Sequence, residues 1–334
     1  MPTKRYKNIL ITGCAGFIGY HLSKKLLENT RFKIYGIDNI NDYYDTKLKK
    51  KRLAILKKQK NFNFEKTDIT NQKKIDFSFK KNQYEVVINL AAQAGVLYSI
   101  ENPETYLKNN IEGFFNILAA SKKFNIKHLI FASTSSVYGP ANNFPLREYD
   151  NTDKPLSFYA ATKKSNEVMA HSFSNVYKLP CTGLRFFTVY GPMGRPDMAL
   201  FKFTKAILNK KKIYLNNNGN HVRDFTYIDD IVSGIIKLIN IPPKKKIPFE
   251  IFNIGNSNPK KLKSFLSEIE NYLGIKAKIK YRDLQVGDIY KTHASVDKLK
   301  NKTGYQASTE IKIGIKKFID WYKEYFSQPE ENNN

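Results

Sequence analysis

The sequence predicts an α/β fold built on a doubly wound parallel sheet, and three observations predict it. Short apolar runs alternate with stretches of helical periodicity over the first half of the chain. The first of these runs is followed at once by three glycines spaced for a tight strand-to-helix turn. The run from Glu85 to Leu90 is apolar almost throughout, as expected of a strand covered on both faces.

Taken in order, Asn8 to Thr12 reads as a buried strand, then Gly13-Cys14-Ala15-Gly16-Phe17-Ile18-Gly19 leads into an amphipathic helix ending near Asn29. Glycines here allow a close backbone approach, and the helix N-terminus is a seat for a pyrophosphate, which is the Rossmann-type arrangement. A second strand, Lys33 to Ile37, ends in Asp38, 38 − 19 = 19 residues beyond the last glycine. An acid there accepts hydrogen bonds from a ribose and repels a 2′-phosphate, favouring NAD over NADP. Phe62 to Lys66 reads as a third strand, running into Thr67-Asp68-Ile69. Asp68 has two open readings, a partner for the adenine amino group or the N-cap of the following helix. The fourth strand leads into Ala91-Ala92-Gln93-Ala94-Gly95, small residues that admit a cofactor or pack a helix closely on the strand.

A single helix is expected from about Pro103 to Phe124, carrying Asn109 and Asn110. A fifth strand, Lys127 to Ser133, opens into Thr134-Ser135-Ser136-Val137-Tyr138-Gly139, hydroxyls at the strand end where open α/β sheets bind ligands. The next helix, to about Tyr177, places Tyr159 and Lys163 four residues apart on one face. A neighbouring ammonium favours a phenolate, so this pair reads as a base made of two ordinary side chains. After a sixth strand, Cys181 to Phe187, the alternation loosens. Residues 1–187 therefore read as the dinucleotide-binding domain and 188–326 as a smaller α/β substrate domain, some segments of which return to the first. Within it the expected elements are a helix at Ala199 to Lys210, strands at Lys212 to Leu215 and near Ile251 to Ile254, and a helix opened by Arg223 to Asp230. Two further helices follow, and residues 327–334 read as a polar, disordered tail.

Composition removes several function classes. The 334 residues carry a formal charge of +26, but lysine is abundant throughout, so the charge reads as compositional bias and not as a nucleic-acid surface. The densest run, Lys47 to Lys60, reads as the solvated face of a helix. No apolar run is long enough to span a membrane, and the N-terminus carries no secretory signal. Two distant cysteines fit a reducing cytoplasm, and five scattered histidines give no metal-ligand spacing.

Together these motifs resemble the extended short-chain dehydrogenases/reductases over nearly the whole chain. The carriers are the glycines at 13, 16 and 19, the cluster ending in Val137-Tyr138-Gly139, and Tyr-x-x-x-Lys at 159 and 163. The spacing 159 − 134 = 25 matches the nucleotide-sugar epimerase branch. Within it Asp38 to Asp45, Ala91 to Val96 and Arg185 to Ala199 are similar to UDP-glucuronate 4-epimerases.

The resemblance implies bound NAD, held by Gly13, Gly16, Phe17, Ile18 and Gly19, by Asp38 and Asn39, and by Asp68 and Ile69. Leu90, Ala91 and Ala92 complete that seat with Asn110, Ser133, Tyr159, Lys163 and Phe186. It implies Tyr159 as the base, Lys163 lowering its pKa, and Thr134 and Ser135 assisting. Gln93, Ser135, Ser136, Thr188, Arg195, Arg223 and Asp288 would meet a UDP-sugar, the arginines at its pyrophosphate. A 4-keto uronate decarboxylates if its carboxylate is free to align, and the hydroxyls of Ser135, Ser136 and Thr188 would hold it. Related decarboxylases carry Thr-Ser-Glu and dehydratases Thr-Asp-Glu where this chain has Thr134-Ser135-Ser136. The implied reaction is interconversion of UDP-glucuronate and UDP-galacturonate, serving surface polysaccharide synthesis. The alternatives are 4-epimerisation of UDP-glucose or a UDP-N-acetylhexosamine, or decarboxylation. A homodimer through helices 103–124 and 157–177 is implied as well. Leu97, Met193 and Val286 depart from the usual Arg, Trp and Pro.

Overall fold

Seven parallel strands carry the molecule, five of them from the first half of the chain. In the computed structural model, which describes residues 6–327, they include β1 (Asn8–Thr12), β2 (Lys33–Asp38), β3 (Phe62–Lys66) and β4 (Val86–Asn89). β5 (His128–Thr134) and β6 (Cys181–Phe186) follow, and the order across the sheet is Phe249–Ile254, β6, β5, β4, β1, β2, β3. The strand order reverses between β1 and β4, the point at which such sheets bind ligands. Alternate side chains serve opposite faces, as strand geometry requires. Ile9 and Ile11 pack with Val86, Ile88, Ile130 and Leu184 on one side. Leu10 packs with Val87, Leu129 and Phe131 on the other.

The seventh strand comes from the part of the chain read as the smaller domain. Phe249–Ile254, grouped by its position with the smaller domain, runs parallel to β6 and completes the large sheet. Its burial on both faces explains why: five of its six residues are buried, which a small lobe cannot supply. The lobe itself is made of three two-stranded pieces, one of which pairs Thr188–Tyr190 with Phe225–Tyr227. Its helices Ala199–Leu208, Ile228–Leu238, Leu262–Leu273 and Ile311–Ser327 share one apolar core with the sheet face next to helix α1 (Phe17–Leu27). The pairing of Lys212–Leu215 with Lys278–Tyr281 was not foreseen, because the second of these strands is exposed and cationic. Ser327, read as the start of the tail, is the last residue of a helix, and the rest of the tail expected at 327–334 lies outside the described residues.

Two other expectations change. The helix expected across 103–124 is broken by a π-helical turn, Leu107–Glu112, between Pro103–Tyr106 and Gly113–Lys123. Such a turn is a common signature of a functional site, and here it buries Asn110. The lysine run also does not form a purely solvated face. Helix α2 (Thr46–Lys57), capped by the Asp45 side chain on the Lys47 amide, turns Lys49 and Arg52 inward; both are buried.

Candidate active site

The reversal point of the sheet opens into one cavity of about 680 Å³, lined from both lobes. On the sheet side lie Gly13, Gly16, Phe17, Ile18 and Gly19, the β2 end at Asp38 and Asn39, and Ile69. Leu90 to Gln93, Ser133 to Ser136, Tyr159, Lys163 and Phe186 continue that wall. Thr188, Arg195, Arg223 and Asp288 face it from the smaller lobe.

The glycine turn fits the dinucleotide reading on steric grounds. Gly13 has φ +71°, and a Cβ there would lie 2.8 Å from the Ala91 nitrogen; one on Gly19 would lie 2.2 Å from the Gly13 carbonyl oxygen. The backbone is as close as it can be while leaving space at the N-terminus of α1. Asp38 accepts from the amides of Ala15 (3.0 Å) and Ile40 (2.8 Å). Burial nevertheless keeps its carboxyl above the usual range; each oxygen accepts one backbone bond, which leaves lone pairs for a ribose hydroxyl. The cavity wall carries five cations, Lys49, Lys163, Arg195, Lys202 and Arg223, against the carboxylates of Asp38, Asp197 and Asp288. That balance suits an anionic ligand.

Two residues expected to touch the cofactor are not on the wall. Asp68 accepts from Asn39 Nδ2 (2.8 Å) and from the Thr70 amide (2.9 Å), so it orients Asn39, which does line the cavity. It does not cap the next helix either; the Asn71 side chain does. Asn110 is buried behind Gln93, accepting from its amide (2.8 Å) and donating to its carbonyl (3.0 Å) and to Thr162 Oγ1 (3.1 Å). It therefore clamps the loop after β4 to the Tyr159 helix.

Helix Phe158–Tyr177 starts at Ser157, whose hydroxyl caps it through the Ala160 amide, and brings Tyr159 and Lys163 to the cavity one turn apart. Lys163 is almost wholly enclosed and donates to the Ala132 carbonyl (3.0 Å); burial lowers its pKa to about 8. Burial raises the Tyr159 phenol above its ordinary value. The Arg195 charge and a hydrogen bond with Thr134 oppose that shift. The Arg195 charge is thus one cation that acts on the phenol. Arg195 itself makes a two-pronged pair with Asp197, with Nε 3.0 Å from Oδ1. Burial pushes the Asp197 carboxyl up, and the guanidinium outweighs it, holding the acid below the usual range.

Beyond Arg195, Arg223 donates to Asp288 Oδ1 (2.8 Å), and His221 Nε2 lies 3.0 Å from Asp288 Oδ2. The hydroxyl-bearing residues Thr134, Ser135 and Ser136 line the cavity. Thr134 Oγ1 accepts from the Ser136 amide (3.1 Å), which turns Ser135 and Ser136 into the cavity wall as a short 3-10 turn begins. No carboxylate is present among residues 134–136. Of the departures, Leu97 lines the cavity and Met193 does not.

Sequence reasoning missed the pair beneath this site. Glu167 accepts from Arg185 Nε (2.9 Å) and Nη2 (2.8 Å) and from Ser133 Oγ (2.6 Å), fully enclosed. It joins the Tyr159 helix to β5 and β6. The available signals were an arginine inside a buried strand and a glutamate four residues after Lys163.

Residues 9–255 match the family model described as the NAD dependent epimerase/dehydratase family. The chain belongs to that family. CapI of Staphylococcus aureus is 53% identical to it, covering 96% of this chain and 99% of that protein. A probable UDP-glucuronate 4-epimerase of Rhizobium meliloti is 42% identical, over 95% of this chain and 97% of its own length. The crystal structure of UDP-glucuronic acid 4-epimerase from Bacillus cereus, in complex with UDP-glucuronic acid and NAD, superposes with a TM-score of 0.90. It is 33% identical, covering 95% of this chain and 99% of that one. An epimerase/dehydratase of this family is thus an enzyme on a Rossmann-type sheet, as the motifs implied.

Proposed function

We propose that this epimerase/dehydratase interconverts UDP-glucuronate and UDP-galacturonate by inversion at C4. One observation carries the reading: a single cavity joins the glycine turn, the Tyr159–Lys163–Thr134 set and the lobe arginines, with serines and no acid at 135 and 136. NAD, when bound, would supply the acceptor and donor of the C4 hydride. Gly13, Gly16, Gly19 and Asp38 would hold it, and Lys163 would meet its nicotinamide-side ribose. Tyr159 accepts the proton of the 4-hydroxyl as phenolate and returns it to the 4-oxygen at the end, the charges of Arg195 and Lys163 offsetting the burial that raises its pKa. Thr134 donates to that oxygen as charge develops on it. Arg223 and Arg195 face the pyrophosphate, a group suited to guanidinium contacts.

Ser135, Ser136 and Thr188 hold the carboxylate of the 4-keto uronate out of alignment for loss of CO₂. Elimination of water lacks its acid/base pair. Among the described residues no helix is long and apolar enough to cross a membrane. We place the enzyme in the cytoplasm on the strength of its two buried free cysteines. Exposed Phe115, Val168 and Val176, on the helices that border the site, support pairing of two copies there. Light scattering is expected to give twice the chain mass.

The test of function is incubation of the NAD-loaded protein with UDP-glucuronate and, separately, with UDP-glucose. UDP-galacturonate is expected from the first, with little conversion of the second. Conversion of UDP-glucose alone removes the substrate assignment, and release of CO₂ removes the inversion.

A further inference from the structure

Arg52 is the largest fully buried side chain of the molecule, and its acceptors are all neutral. Nη1 donates to the Ala15 carbonyl (2.8 Å) and to Tyr44 Oη (2.8 Å). Nη2 donates to the carbonyls of Met193 (2.6 Å) and Gly194 (3.4 Å), and Nε has no partner. Burying a cation on neutral acceptors costs several kcal/mol. A methionine would fill the same space more cheaply if filling were all that was needed.

What the guanidinium joins is specific. Ala15 is in the glycine turn, Tyr44 is in the loop that follows β2, and Met193 and Gly194 immediately precede Arg195. A second tie runs parallel to it. Tyr43 donates to Asp197 Oδ2 (3.2 Å), the acid that pairs with Arg195. The Tyr43 ring also stands 4.9 Å from that of Tyr98, and its hydroxyl lies so close to Gly95 that a Cβ there would come within 2.5 Å. Tyr43 and Tyr44 both line the cavity, so this loop is fastened to the sheet wall and to the lobe wall at once.

We propose that Arg52 is a positioning residue that clasps the 39–45 loop over the dinucleotide seat, tying it to the glycine turn and to the loop carrying Arg195. The clasp rests on the proposed isomerisation to this extent: a reaction that returns its hydride must keep the cofactor in place until the hydride has been given back. Arg52 touches neither cofactor nor substrate. It acts by keeping Tyr44, Ala15 and the Arg195 loop in register.

The test uses NAD-loaded protein, freed of excess NAD and diluted into an NAD-consuming hydrolase, with the NAD still bound followed over time and no sugar present. Losing the charge-assisted bonds in Arg52→Met is expected to speed release at least about tenfold. Arg52→Lys keeps the charge but cannot span the three segments, and is expected to fall between. Tyr44→Phe removes one bond and is expected to speed release about threefold, which decides the matter where Arg52→Met does not fold. A lower thermal midpoint is common to any role for this residue, whereas faster release from folded holoenzyme is not. Release at the wild-type rate in Tyr44→Phe, or in a folded Arg52→Met, overturns the clasp. Failure of the functional reading looks different: wild-type protein keeps its NAD and leaves UDP-glucuronate unchanged.

Discussion

The two walls of the cavity are built by different physics. The sheet wall depends on backbone: parallel strand ends, a glycine turn and a capped helix fix Gly13, Asp38, Thr134 and Tyr159. The ion pair beneath it, Arg185 with Glu167, is enclosed, with side chains 4% and 5% exposed. The lobe wall depends on side-chain pairs between loops. Arg223 meets Asp288 across 65 residues of chain, with side chains 17% and 29% exposed. The sheet wall is therefore stiff and sets the chemistry, and the lobe wall grips the ligand. Substitutions on the two sides should fail in different ways.

The largest effect is expected at the sheet wall, without loss of the fold. Tyr159→Phe removes the proton acceptor and should lower turnover by about 10²–10⁴-fold, with bound NAD and thermal midpoint unchanged. Turnover within threefold of wild type would remove Tyr159 from the mechanism. Next, Glu167→Gln leaves the Arg185 charge enclosed without its partner. Breaking such a pair costs about 3–5 kcal/mol, read as a fall in the denaturant midpoint, and an unchanged midpoint would mean the sheet wall is not held this way. On the lobe wall, Arg223→Ala should raise KM for the nucleotide sugar about tenfold or more, with kcat and stability changed far less. A large loss of stability there would erase the distinction between the walls.

The pH profile gives the smallest effect. Burial lowers Lys163 from the ordinary lysine value to about 8. Its ammonium is present below that pH and is lost as pH rises through it, removing a positive charge from the nicotinamide side of the site. Turnover is expected to decline on the alkaline side with a midpoint near 8. Lys163→Arg, which stays charged, should move that limb above pH 10 while lowering the maximum. An alkaline limb unmoved in that variant would assign it to another group.

The same contrast explains what the sequence discloses. Where function is coded by local spacing, the reading is direct: Gly13 to Gly19, Asp38 nineteen residues on, Thr134 to Ser136, and Tyr159 with Lys163 all reach the cavity. Where it depends on which loop meets which, spacing is silent. Asp197 as the partner of Arg195, Tyr43 as its second contact and His221 beside Asp288 are tertiary facts. Asn110 reads as a cofactor contact because its neighbours do, and a π-helical turn places it one layer back. Lys49 and Arg52 were hidden inside a lysine-rich run, because helical periodicity says that one face is buried without saying that cations occupy it. The edge strand Phe249–Ile254 is legible as a strand, but its place is not: its partner β6 precedes it by some sixty residues, and only packing decides which sheet it joins.

The central claim is that C4 alone is oxidised and reduced, by a hydride that leaves and returns without exchanging with solvent. UDP-glucuronate carrying deuterium at C4 tests it directly when incubated with the NAD-loaded enzyme in ordinary water, with the product read by mass spectrometry and NMR. The account predicts UDP-galacturonate that retains deuterium at C4, with no CO₂ released. Product that has exchanged its C4 deuterium for solvent hydrogen would contradict it.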